Sequence, residues 1–261
     1  MLRKISWAVV KLSTAKIKLA QKLRLKKYRA EFGLFVAEGL RLCEMAPDVE
    51  FGFYTAEFLS NERAEKLIAR LKKIAPMQEI PAETLAKISD TQTPQGILIV
   101  ARQRLSEPAE VLEKPLIVAL DAVHDAGNLG TILRTAEAFG CGVLILDETA
   151  DVFNSKVVRA SMGAVFDVAL AKVARAEFLP LMKKFGIEVL AAALDSTAEK
   201  YFEHDFSAKT AVVFGSEAAG VSAEILGAAR KIYIPMSGRA ESLNVAAAAA
   251  IIISEARKNF S

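Results

Sequence analysis

The chain has 261 residues, 52% hydrophobic and 25% charged, the composition of a folded protein with one large core or two modest ones. Its two cysteines, Cys43 and Cys141, stand far apart with no CxxC, and the only histidines are His124 and His204, which argues against a disulfide framework or a zinc cluster. The apolar run Val245–Ile253 has nine residues, against about 20 for a membrane span. The expectation is a cytoplasmic chain with no metal and no membrane segment.

Net charge is +3 but unevenly placed. Residues 1–30 hold ten basic side chains (Arg3, Lys4, Lys11, Lys16, Lys18, Lys22, Arg24, Lys26, Lys27 and Arg29) and no acid. The other 24 Lys and Arg face 31 acids, so the remainder carries −7. Such an arm suits a polyanion; a solvated helix face and a basic transit peptide are the competing readings. Leu12, Ala15, Leu19 and Leu23 recur at helical spacing and predict that the arm is a helix.

Short elements follow. FGLFVAEG (32–39) reads as a strand entering a turn, LRLCEMA (40–46) as a helix and FGFYTA (51–56) as a strand. NERAEKLIARLKKIA (61–75) is an amphipathic helix capped by Ser60 or Asn61. MQEI (77–80) is strand-like, AETLAKIS (82–89) helical and ILIVARQ (97–103) a strand. Residues 1–103 thus form a small α/β domain. RLSEPAEVLEKP (104–115), with two prolines and little hydrophobic period, reads as a linker.

Residues 116–261 repeat the alternation more strongly. LIVALD (116–121), VLILD (143–147), DVALAKV (167–173), IEVLAAAL (187–194), TAVVFGS (210–216) and KIYIPM (231–236) look like buried parallel strands. Helices are expected near 130–139, 155–162, 175–185, 222–229 and 244–258. The residues alone predict an α/β domain, a doubly wound parallel sheet without a knot.

Three strand-to-helix junctions carry more glycines and polar groups than turning requires, and ligands collect at such junctions. In LDAVHDAGNLGTILRTAEAFG (120–140), Gly127 and Gly130 suggest a tight helix start whose free N–H groups attract anions. Arg134, one turn further on, is placed to hold a phosphate or ribose, or is simply a solvated arginine. Asp147 invites a nicotinamide-cofactor reading, but GxGxxG is absent, and so is GxxxxGK[ST]. In VVFGSEAAGVS (212–222), Gly215 and Gly220 bracket Glu217, which either orients Arg134, accepts from a ligand, or is a first-turn acid. In IPMSGRAESLNVAAAA (234–249), Pro235 and Gly238 predict a bend, Ser242 or Asn244 a helix cap, and the alanines a helix that a neighbour can approach closely.

In this order and spacing, the junctions resemble the three motifs of the SPOUT superfamily in its SpoU (TrmH-like) branch of RNA 2′-O-ribose methyltransferases. Asn128, Gly130, Arg134, Thr135 and Ala136 resemble the first motif, Gly215, Glu217 and Gly220 the second, and Ile234 to Val245 the third. KVVRASMGAVF (156–166) is also typical of the branch. Proline is usual where Ala126 stands, and serine frequent where Ala246 stands. KKYRAEFGLFVAEG (26–39) and AKISDTQTPQGILIVA (86–101) resemble the L30e-like substrate-binding domain of many members, and this weakens the transit-peptide reading.

The resemblance implies a catalytic domain (116–261) whose C-terminal segment forms a deep trefoil knot, and a homodimer. It implies S-adenosylmethionine held by backbone near Gly215, Ile234, Met236, Gly238 and Leu243. Arg134 would lie nearest the ribose 2′-hydroxyl, with Asn128, Glu217, Ser242 and Asn244 orienting it, the ribose or the proton path. Guanidinium is essentially always protonated, so phosphate anchoring and oxyanion stabilisation suit Arg134 better than general-base chemistry. RNA contacts are expected from Lys22, Arg24, Lys26, Lys27, Arg29 and Arg159, with ribosomal RNA of the 23S type preferred over transfer RNA. The alternative is a non-catalytic RNA-binding ribosome-assembly factor, which has no need of all these polar groups.

Overall fold

The computed structural model describes residues 14–206, 209–239 and 241–260. Arg3, Lys4, Lys11 and Leu12 of the basic arm lie outside the described residues. The chain divides into two compact units, one of residues up to Gln103 with Phe153–Ser155, the other of Arg104–Val152 with Lys156 onward.

The first unit begins with α1 (Thr14–Lys22) and α2 (Lys26–Phe32), which ends at Gly33 in the left-handed region (φ 62°). Then come β1 (Leu34–Glu38), α3 (Leu40–Met45), β2 (Val49–Tyr54), α4 (Glu62–Ile74), β3 (Met77–Glu79), α5 (Ala82–Ile88) and β4 (Ile97–Arg102). The sheet order is β1-β4-β2-β3, with β4 antiparallel to both β1 and β2, and β2 parallel to β3. Asn61, not Ser60, caps α4, its Oδ1 accepting from Ala64 N at 3.0 Å. Ala20 and Leu23 join Phe51, Phe53, Leu85, Ile88 and Leu98 in one core, which anchors the α1 end of the arm.

Residues 104–115 are not a free linker. Pro108–Leu112 form α6, with proline at the helix start, where its missing N–H costs nothing. Val111 and Leu112 are buried in the core of the second unit, so the segment belongs to that domain.

That unit continues with β5 (Leu116–Asp121), α7 (Ala126–Ala138), β6 (Gly142–Ile145), α8 (Ser155–Ala160), β7 (Leu170–Lys172), α9 (Arg175–Lys184), β8 (Glu188–Ala192) and β9 (Glu199–Lys200). β10 (Thr210–Gly215), α10 (Ala223–Ala228), β11 (Arg230–Tyr233) and α11 (Val245–Arg257) complete it. The order is β7-β6-β5-β10-β8-β11-β9, and every neighbouring pair is parallel. β5 and β10 are buried at all six positions each, which is why both read as unbroken apolar runs. The two-residue β9 is too short to leave a hydrophobic period and has no counterpart among the expected strands. Because the strands run the same way, the loops after β5, β10 and β11 open on one edge of the sheet. Register sets Asp121 beside Gly215 there.

α11 lies against α7 and buries Ala246, Ala249, Ile252, Ile253 and Ala256, a three-four spacing along one face. The alanine run is thus a close-packing face. Among the described residues no helix is long and apolar enough to cross a membrane.

Candidate active site

α7 starts on its own carboxylate: Asp125 Oδ1 accepts from Asn128 N at 2.8 Å. The expectation that this helix start attracts an anion is therefore corrected, since an acid already occupies it. Gly130 also has a different reason from the one expected. It sits inside the helix, and a Cβ there would lie 2.5 Å from Ala160 Cβ and 2.7 Å from Val157 O. It is a contact point for α8 rather than a turn residue. Ala126 is the first residue of α7, a position where proline is equally at home.

Three side chains, one from each loop, form a continuous hydrogen-bonded chain. Asn244 Oδ1 caps α11, accepting from Ala246 N at 2.9 Å and Ala247 N at 3.3 Å. Asn244 Nδ2 donates to Asn128 Oδ1 at 2.9 Å, and Asn128 Nδ2 donates to Glu217 Oε1 at 2.9 Å. Each amide orientation follows from this network: a donor must face the carboxylate, so an acceptor faces Asn244. Glu217 also accepts from the N–H groups of Asp125 (3.4 Å) and His124 (3.5 Å). Partial burial pushes the Glu217 carboxyl up, but the donors from Asn128 and the backbone outweigh it and hold it below the usual carboxylate range. Glu217 thus orients Asn128 and the α7 entry loop, not Arg134. Asn244, not Ser242, is the helix cap.

Below this chain is a cavity of about 420 Å³. Gly215, Ser216, Glu217 and Gly220 form one side, Ile234 and Met236 another, and Ser242, Leu243 and Asn244 a third; Leu194, Ile232 and Val245 add apolar surface. Ser216 and Gly220 are pinned together beside Gly215: Ser216 N donates to Gly220 O at 3.0 Å and Gly220 N to Ser216 O at 2.9 Å. A Cβ on Gly215 would lie 2.0 Å from Gly220 C, so only glycine allows this fold-back. No acceptor among the described residues takes the N–H of Met236 or Leu243. An apolar slot with free backbone donors suits a flat heteroaromatic group with a hydrogen-bonding edge.

Of the five expected cofactor contacts, Gly215, Ile234, Met236 and Leu243 line the cavity and Gly238 does not. Gly238 has an ordinary φ and open space at its Cβ, so the bend does not require glycine. Arg134 is exposed on α7 and has no ion pair or hydrogen bond among the described residues.

A family model for the SpoU rRNA methylases matches residues 115–254. The chain belongs to the SpoU rRNA methylase family. A second model, for the MRM3-like substrate binding domain, matches residues 14–99 of this SpoU methylase. It is 34% identical over 240 residues to the 23S rRNA (guanosine(2553)-2′-O)-methyltransferase RlmP of Bacillus subtilis, covering 91% of this chain and 94% of that one. Over 160 residues it is 36% identical to the tRNA (guanosine(18)-2′-O)-methyltransferase of Thermus thermophilus, covering 60% of this chain and 81% of that one. Its fold matches the AdoMet-bound rRNA methyltransferase of Sinorhizobium meliloti with a TM-score of 0.84 at 31% identity, over 97% and 98% of the two chains.

The expected RNA contacts of the SpoU methylase divide. Lys22, Lys26 and Lys27 are exposed. Arg29 is 4% exposed, and its Nη1 donates to the carbonyls of Leu23 (2.8 Å) and Arg24 (2.7 Å). It ties the α1–α2 turn and is not available as an RNA contact. Arg24 is committed to Asp90, 2.8 Å away, and to the Ser89 carbonyl. Arg159 is half-buried on α8.

One further site residue has no place among the expected ones. Asp121, 1% exposed, accepts from Ser222 N at 2.7 Å and from Arg175 Nε at 2.9 Å. It fastens the far end of the Glu217 loop to β5 and to α9. An acid closing the otherwise apolar run LIVALD is the signal that marks it, because a buried charge needs a purpose.

Proposed function

We propose that this SpoU methylase transfers a methyl group from S-adenosylmethionine to a ribose 2′-hydroxyl of RNA, with ribosomal RNA of the 23S type as substrate. The observation that carries the reading is the Asn244–Asn128–Glu217 chain over the cavity, which joins the three family motifs into one site. The methyltransferase names of its relatives support the reaction, and the AdoMet-bound Sinorhizobium relative supports the cofactor. The cradle fits that cofactor: Gly215 lines the cavity where its loop folds back on Gly220, and the Met236 and Leu243 N–H groups have no acceptor among the described residues.

S-adenosylmethionine supplies a methyl group already activated by the positive sulfur. The protein therefore has to position the hydroxyl and stabilise the charge that develops on its oxygen. Arg134, whose guanidinium has no ion pair among the described residues, anchors the target phosphate and faces that developing charge. Glu217 and Asn244 hold Asn128 in one orientation, and Ser242 contributes a hydroxyl to the cavity wall. Backbone of Gly215, Ile234, Met236 and Leu243 holds the cofactor. The homodimer and the trefoil knot rest on the family resemblance alone, and the independence from metal on the few, scattered cysteines and histidines. The cytoplasmic setting rests on composition.

The test is transfer of labelled methyl from S-adenosylmethionine into unmodified ribosomal and transfer RNA pools. The wild type labels ribosomal RNA. Arg134→Ala lowers the rate about 100- to 1,000-fold, as loss of one oxyanion-stabilising group does, with cofactor affinity unchanged. Cofactor binding without labelling of either pool would count against the enzymatic reading.

A further inference from the structure

The N-terminal helices carry an apolar stripe that is exposed among the described residues. Leu25, Tyr28 and Phe32 follow one another at spacings of three and four along α2 and its cap, so they share a face. Leu25 is 60% exposed and Phe32 is 43% exposed. The Tyr28 and Phe32 rings are stacked, with centroids 6.4 Å apart and planes 20° apart. Tyr28 packs partly on the core that contains Phe51 and Leu98. Lysines surround it: Lys22 Nζ lies 5.2 Å and Lys27 Nζ 5.9 Å from the Tyr28 ring centroid, and Lys26 is exposed beside them.

We propose that Tyr28 and Phe32 form a stacking platform for an unpaired base of the RNA, with Lys22, Lys26 and Lys27 taking the flanking phosphates. This rests on the RNA-methyltransferase reading and adds to it a site for a single-stranded nucleotide. Charge selects the occupant. Residues 14–32 hold seven Lys and Arg against the single acid Glu31, so a second copy of this face would bring mostly like charges together, whereas a polynucleotide would be attracted. An exposed ring also takes only a base that has left its own stack, which favours single strands over duplex.

The experiment measures binding of the full chain to a labelled, unstructured 12-nucleotide RNA and to a fully paired duplex, across a salt series. Phe32→Ala should weaken single-strand binding about tenfold, within the range for loss of one base–aromatic stack, and leave duplex binding nearly unchanged. Phe32→Tyr should restore it and Phe32→Leu should not, because the ring and not the bulk is needed. Lys22→Ala with Lys27→Ala should flatten the slope of log K against log salt by about 1.4. Phe32 is substantially exposed, so the variants should melt like wild type. If wild type binds the unstructured RNA and Phe32→Ala binds it equally well, the platform is refuted while the RNA reading stands. If wild type binds neither RNA, both fall. If Phe32→Ala dissociates an oligomer and leaves RNA binding unchanged, the stripe is a protein contact and the proposal is wrong.

Discussion

Gly215→Ala places a single methyl group where the site has no room. Its Cβ would stand 2.0 Å from Gly220 C, 2.1 Å from Val221 N and 2.2 Å from Gly220 O, all backbone atoms. Ordinary contact begins at 3.4 Å, so the loop must retreat by about 1.4 Å, since no rotamer change can relieve it. That retreat separates Ser216 from Gly220 and breaks both of their hydrogen bonds, about 1 kcal/mol each, and overpacking strain adds about 1–3 kcal/mol. The displaced segment is the cavity wall that also carries Glu217. Together these imply a loss of about 3–5 kcal/mol, shared between fold stability and cofactor affinity, roughly 150- to 4,000-fold if it falls wholly on binding. Gly220→Ala is the control: its φ of +71° is uncomfortable for alanine, but nothing lies within 4 Å of the new Cβ, so it should cost only about 1 kcal/mol. Titration calorimetry with S-adenosylmethionine, together with thermal melts, measures both terms. Wild-type affinity and melting in Gly215→Ala would show that the Gly215–Gly220 fold-back does not shape the site.

Asp121→Asn removes the charge that faces Arg175 and one of two acceptor oxygens, so it should cost about 2 kcal/mol, visible as a melting point lower by roughly 4–8 °C. An unchanged melt would mean that Asp121 does not fasten the Glu217 loop. Acid should loosen the same loop late. The Glu217 carboxyl lies below its unfolded range in the folded chain, so its contribution is fully present above the unfolded value and is lost as pH falls through the folded one. Cofactor affinity should therefore hold at mildly acidic pH and fall only below the ordinary glutamate range, while Glu217→Gln should flatten that fall. A midpoint at or above the ordinary glutamate range would contradict the hydrogen-bond chain.

Much of the fold and of the site is legible in the sequence, because the second unit is built from buried parallel strands and a buried strand must be apolar along its whole length. LIVALD and TAVVFG fit little else. The polar excess at the following loops marks the site for the same reason. What is not legible depends on where long side chains point. A count of charges treats Arg29 and Lys27 alike, yet one guanidinium turns inward onto two carbonyls while the other cation stays in water. Val111 and Leu112 look incidental between prolines and acids, but two buried residues suffice to turn a supposed linker into a core helix. Gly130 reads as a turn because glycine serves turns and close helix contacts equally, and only the position of α8 distinguishes them. Asp121 looks like an ordinary strand end until Arg175 and Ser222 are seen to converge on it.

The most direct measurement is alkaline hydrolysis of ribosomal RNA after incubation with the enzyme and S-adenosylmethionine. Alkali cleaves RNA through the free 2′-hydroxyl, so methylation of that oxygen leaves one gap in the hydrolysis ladder. A single gap should appear with wild type and be lost, within the assay time, with Arg134→Ala. Methyl incorporation without any gap would place the modification on a base and contradict the ribose 2′-hydroxyl as the acceptor.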